Sequence, residues 1–146
     1  MQMPENVLPK HIVAKATRRG TEYAWPIEDI PTVIDAARDE GLLNVGGQLQ
    51  FRIPKGGTCE CYWVEVDTAK EEFASLSWDE RVAATASEAV SQFRGLCDEY
   101  NFVAEGRLAF AKHLNAYEAA GGDIRDALCF VWYVQAPEPP AAHEAE

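Results

Sequence analysis

The stretch Gln48-Leu49-Gln50-Phe51-Arg52-Ile53, followed by Pro54-Lys55-Gly56-Gly57 and then by Thr58-Cys59-Glu60-Cys61-Tyr62-Trp63-Val64-Glu65-Val66, decides the fold. Its first run alternates polar and apolar side chains strictly, as a half-buried strand does, because successive strand residues point to opposite faces. Its last run is rich in β-branched and aromatic residues, and the Pro/Gly cluster between them reads as the turn of a hairpin. Pairing Pro54 with Thr58 leaves the loop Lys55-Gly56-Gly57, with glycine available for the left-handed position. That register sets Arg52 opposite Glu60 and Gln50 opposite Tyr62. It gathers Leu49, Phe51, Ile53, Cys59, Cys61 and Trp63 on one apolar face. A slip of one residue would set Phe51 against Glu60, so the pattern itself selects the pairing. The opposite face then carries Gln48, Gln50, Arg52, Glu60, Tyr62 and Val64.

Working outward, residues 11–17 and 21–25 flank Arg18-Arg19-Gly20 and suggest a second hairpin. Ile27, Ile30, Ile34 and Ala37 recur at helical spacing, with Glu28 and Asp29 before Pro31 and with Gly41 as a natural stop. Ser77-Trp78-Asp79-Glu80 is a capping box opening a long helix whose buried stripe is Val82, Ala86, Ala89, Val90, Phe93, Leu96, Cys97 and Tyr100. A further helix is expected over about Glu105 to Ala120, with Leu108, Ala111, Leu114 and Tyr117 inward and Gly121-Gly122 ending it. Ala127 to Gln135 is almost wholly apolar, which fits a strand covered on both faces in a sheet interior.

The resulting order, β-β-α-β-β-α-α-β, predicts an α+β two-layer sandwich: a mostly antiparallel sheet of about five strands with two to three helices on one face. Its βαββαβ portion is compatible with ferredoxin-like winding, although order alone does not fix strand neighbours. The chain of 146 residues has the size of one domain. The expected division is an N-terminal arm over 1–10, a single domain over 11–135, and a disordered Pro/Ala/Glu tail over 136–146.

The net charge is −11. Residues 1–27 carry four cations against two acids, whereas the helical regions and the tail are acidic. Such a field repels phosphate backbones and anionic lipid, so nucleic-acid and membrane partners are not expected. No apolar run approaches the ~20 residues of a membrane span, and no apolar leader opens the chain. Together with Cys59, Cys61, Cys97 and Cys129 read as mostly buried reduced thiols, this predicts a cytoplasmic setting.

The chemistry-bearing motifs are sparse. Gly46-Gly47-Gln48 matches the tripeptide of peptide-release factors, but it runs directly into a strand, where paired glycines serve the backbone. Cys59 and Cys61 could supply half a zinc site with His11 or His113; no second ligand pair accompanies them, and a shared face with Phe51 points to core packing. No thiol sits where its pKa would fall, His143 lies in the tail, and no nucleophile elbow, P-loop or zincin helix is present. Arg18-Arg19 beside Tyr23 and Trp25 are too few to make a nucleic-acid patch.

The leading expectation is therefore a non-enzymatic protein that recognises another macromolecule, immunity- or inhibitor-like in character. Its contact residues are expected at Gln48, Gln50, Arg52, Glu60 and Tyr62, with an acidic surface at Asp35, Asp39 and Glu40. A homodimer through the sheet face would satisfy the same pattern. Trp25, Trp63, Trp78, Trp132 and Tyr133 motivate a second reading, a small-molecule domain with an aromatic-lined pocket. An enzyme of unrecognised type ranks third. No cofactor or metal is expected.

Overall fold

Five strands form one antiparallel sheet: β1 (Thr17–Arg19), β2 (Glu22–Trp25), β3 (Leu43–Arg52), β4 (Thr58–Asp67) and β5 (Leu128–Gln135), in the spatial order β1-β2-β5-β3-β4. This is a computed structural model, and it describes residues 4–138. The architecture is the expected α+β sandwich. The ferredoxin-like winding is not adopted, because β5, and not β4, inserts between β2 and β3 in the antiparallel sheet. Its apolar run explains the choice: Phe130, Val131 and Trp132 are wholly buried, which only an interior position allows.

Among the described residues six α-helices accompany the sheet: α1 (Lys10–Val13), α2 (Ile30–Asp39), α3 (Trp78–Glu99), α4 (Phe102–Ala109), α5 (Ala111–Ala119) and α6 (Ile124–Ala127). The helical layer packs on the face carrying Leu49, Phe51, Phe130 and Trp132. There Phe93 of α3 meets Phe130 edge-on at 5.2 Å between ring centroids. A Cβ on Gly106 of α4 would lie 2.3 Å from the Phe51 ring, so that helix rests directly on the strand's largest core residue. Asn44, wholly buried, ties the layers together. Its amide donates to Ile34 O, its Oδ1 accepts from Trp132 Nε1 at 2.9 Å, and its backbone bonds the Thr85 and Thr68 hydroxyls.

The helix termini follow their sequence signals. Ser77 and Glu80 exchange both bonds of the capping box. Gly41 stands at φ +73°, and the amides of Gly41 and Leu42 close the end of α2 onto Arg38 O and Ala37 O. α3 runs unbroken through Gly95 and stops at Tyr100, where the backbone turns extended.

Several expectations are corrected. Residues 10–13 are helical rather than extended, so the first hairpin is only β1 and β2 around Gly20-Thr21. Ile12 is drawn into the core and its carbonyl accepts from the buried Trp25 indole, which overrides the β propensity of Ile12-Val13. The helix expected over 105–120 is two helices broken at Phe110, which leaves Leu108 85% exposed while Leu114 stays buried. Cys97 is exposed rather than part of the α3 stripe. The tail beyond residue 138 lies outside the described residues.

The central hairpin departs most. Arg52 pairs with Thr58 and Gln50 with Glu60, so the connection is Ile53–Gly57, two residues longer than expected; Lys55 takes the positive φ and Gly56 N closes onto Ile53 O. A two-residue shift preserves faces, and Leu49, Phe51, Cys59 and Cys61 are buried together as expected. Further along, Leu49 pairs with Cys61 but Gln48 pairs with Glu65, so Tyr62, Trp63 and Val64 stand opposite a single step of β3. This irregularity inverts the parity of β4: Val64 and Val66 enter the core, and Trp63 leaves it.

Candidate functional site

The polar face of the sheet is built from alternate residues of all five strands, and the sheet curls about it. Arg52 on β3 donates Nε to Gln50 Oε1 at 3.0 Å, Nη1 to Thr17 O on β1 at 2.6 Å and Nη2 to Glu22 O on β2 at 3.3 Å. Gln50 Nε2 donates to Glu22 Oε1 and Glu60 Oε1. The Tyr133 hydroxyl donates to Glu22 and the Tyr62 hydroxyl to Glu60. Arg19 on the β1 edge reaches the opposite edge of the sheet, donating to Thr58 Oγ1 and Gly56 O from Nη1 and to Ile53 O from Nη2. Two arginines thus bridge the face at one end.

This closure withdraws Gln50 and Arg52 from the expected contact surface. Gln50 is wholly buried and Arg52 is 5% exposed. They bond one another and the strand backbones. Glu60 and Gln48 are half-buried, and only Tyr62 is well exposed. Burial lowers the Arg52 pKa, with Glu22 among the groups that oppose the shift, while burial and the bond to Glu22 hold the Tyr133 phenol well above its ordinary range. The face is an internally bonded polar cluster, bordered by the small apolar cluster Ala24, Cys129 and Val131.

The remaining sequence candidates resolve into structure as well. A Cβ on Gly46 would lie 2.0 Å from Val66 O and one on Gly47 1.6 Å from Val131 O, so these glycines let β4 and β5 close on β3 from either side. Burial pushes the Cys61 thiol up to about 12 and Cys129 up to about 11, and raises Cys59. Thiols so protonated at neutral pH are poor nucleophiles and metal ligands. His11 and His113 are exposed on α1 and α5. Among the described residues no three His, Cys, Asp or Glu side chains cluster as metal ligands. On α2, Arg38 sits between Asp35 and Asp39, at 3.5 and 3.8 Å, which moderates that acidic surface; Glu40 is exposed beyond it.

What the sequence reading missed lies along β4. This strand is a sheet edge, and it holds no proline. Gln92 of α3 caps one end by bonding both the amide and the carbonyl of Asp67. Among the described residues, the outer side of the strand from Thr58 to Glu65 has no strand neighbour. Tyr62 and Trp63, extruded by the irregular pairing, are 60% and 46% exposed. The Trp63 indole donates to Glu105 Oε1 at 2.8 Å, and Leu108 lies one helical turn beyond Glu105 on α4. Tyr62 and Trp63 therefore stand exposed along one open edge with Glu60, Glu65 and Glu105, and the exposed Leu108 follows one turn after the Trp63–Glu105 bond. Comparison with family models, with curated proteins and with solved structures returns no match.

Proposed function

We propose that this chain is a non-enzymatic protein-recognition domain that takes an extended, basic segment of a partner along the β4 edge. The observation that carries this reading is the exposure of Tyr62 and Trp63 on an edge strand whose outer side, among the described residues, is unpaired and whose rim is acidic. An open edge supplies main-chain hydrogen bonds to an added strand, and alternate side chains supply selectivity. Tyrosine and tryptophan are the residues that most often dominate interface energies. The net charge of −11 favours encounter with a cation-rich partner and disfavours nucleic acid.

Among the described residues no helix is long and apolar enough to cross a membrane. The four free cysteines suit a reducing compartment, and we place the binder in the cytoplasm. A protein of this kind acts by occupancy, as an inhibitor or immunity protein does, and requires no catalytic group.

Selection of displayed peptides against the intact chain tests the reading. Enriched sequences should be extended and rich in Lys or Arg. Their affinity for a Trp63→Ser/Leu108→Ser variant should fall by about 30-fold or more, the equivalent of ~2 kcal/mol for lost hot-spot contacts. Equal affinity for both proteins would overturn it. Sedimentation of the unliganded chain distinguishes self-association: concentration-dependent dimerisation abolished by the same variant would assign the edge to a second copy instead.

A further inference from the structure

A second region carries an inference independent of the β4 edge. Between the start of β3, the segment leading from Thr68 through a 3-10 turn at Glu71–Ser75, and the first turns of α3 lies a cleft of about 380 Å³. Its walls are mainly apolar, from Leu43, Val45, Phe73 and Ala74. Most of the polar side chains along it are already engaged, and Glu71 and Gln135 are exposed to water. Asn44, Thr68 and Thr85 bond one another and the surrounding backbone, and Lys70 pairs with Glu88 at 2.9 Å.

Arg81 is the exception. Its side chain has no hydrogen bond or ion pair among the described residues, although it is half-buried and its Nε is fully enclosed. The guanidinium carbon lies 5.6 Å from the centroid of the Trp78 ring, a cation–π contact that does not occupy its N–H donors. The other arginines behave differently. Arg19, Arg52 and Arg107 each donate two or more bonds to acceptors, Arg18 and Arg38 have partners, and Arg94 and Arg125 are exposed to water. A buried donor without a partner is rare in folded proteins and marks a position where an acceptor would be stabilised.

We infer that this cleft binds a small carboxylate with an apolar body, the carboxylate pairing with the Arg81 guanidinium and the body lying against Leu43, Val45 and Phe73. A planar guanidinium with vacant donors matches the two oxygens of a carboxylate. The apolar walls favour a hydrocarbon or aromatic group over a second charge. A dianionic phosphate is disfavoured, since Lys70 is committed to Glu88 and Glu71 adds negative charge to the lining. The site shares no residue with the Tyr62/Trp63 edge, so either can stand without the other.

Titration of the full chain with benzoate, hexanoate, acetate and inorganic phosphate, followed by ¹H–¹⁵N spectra that include the arginine Nε–H resonances, tests the assignment. Benzoate and hexanoate should shift the Arg81 Nε–H and the backbone amides of residues 68–74 saturably, with midpoints at or below ~10 mM, a range fitting one ion pair plus modest burial. Acetate should bind at least about tenfold more weakly, for want of the apolar body. Arg81→Gln should abolish the shifts with the remaining spectrum retained. Ala74→Trp, which fills the exposed side of the cleft and leaves Arg81 in place, should abolish them too. No saturable shift with any carboxylate, phosphate binding as tightly as benzoate, or undiminished binding to Arg81→Gln would each overturn the inference.

Discussion

Replacing Arg52 by Met tests whether the polar face of the sheet is closed by its own side chains. The substitution keeps the apolar stem and removes the guanidinium. It leaves Gln50 Oε1, Thr17 O and Glu22 O without the donor that now lies 3.0, 2.6 and 3.3 Å away. A buried acceptor stripped of its partner costs roughly 1–3 kcal/mol, and removing one member of a buried charged network costs about 3–5 kcal/mol. Gln50 is wholly buried and cannot recover its bond from water, whereas Thr17 on the short edge strand can, so the lower half of that range, about 3 kcal/mol, is expected. Arg52→Lys retains the charge but cannot reach three acceptors at once and should recover less than half of the loss. Arg38→Met, which removes only exposed pairs at 3.5 and 3.8 Å, should cost under about 0.5 kcal/mol. Urea denaturation followed by tryptophan fluorescence measures all three. An Arg52→Met loss below ~1 kcal/mol, equal to that of the surface control, would show the face to be open and hydrated and would refute the closure argument.

Other perturbations probe separate features. Val64→Asn should destabilise the domain by several kcal/mol, because it buries an amide where Val64 now has no exposure, whereas Trp63→Asn should cost well under half as much; equal losses would contradict the parity inversion in β4. A disulfide reagent at mildly alkaline pH should label one thiol quickly in the native state, Cys97, and Cys59, Cys61 and Cys129 only on unfolding; two or more fast equivalents would show the core thiols accessible. Glu80, Glu88 and Glu118 are held below the ordinary carboxylate range by hydrogen bonds from Ser77, Gln92 and Arg107 respectively. Their stabilisation is present above the unfolded-state pKa near ~4.3 and is lost as pH falls through the lower folded values, so Tm should drop on acidification below that point and drop less in Glu80→Gln; an identical acid limb in the variant would contradict the assignment.

The β3–β4 stretch shows how far the sequence could be read. Strict alternation from Gln48 to Ile53 identified the strand and its inward face, because a two-residue error in register leaves the faces unchanged. The parity inversion was also written there, unread. Cys59-Glu60-Cys61 asks for odd residues inward, whereas Val64-Glu65-Val66-Asp67 asks for even ones, and only an irregular pairing satisfies both. Treating the run as one uninterrupted strand put Trp63 in the core and hid the edge patch. Leu108 was misplaced for a similar reason, since helical periodicity was carried through Phe110, where the backbone breaks. The burial of Gln50 and Arg52 was not legible at all. It depends on β1 approaching the β3–β4 turn across the curl of the sheet, a long-range arrangement that no local pattern encodes.

The proposal that β4 accepts an added strand is tested most directly by amide hydrogen exchange across residues 58–65, with and without a selected basic peptide. Strand addition predicts that alternate amides in this segment, those facing away from β3, gain protection, with no comparable change on α2. Unchanged exchange along β4, or protection confined to the helical surface bearing Asp35, Asp39 and Glu40, would contradict it.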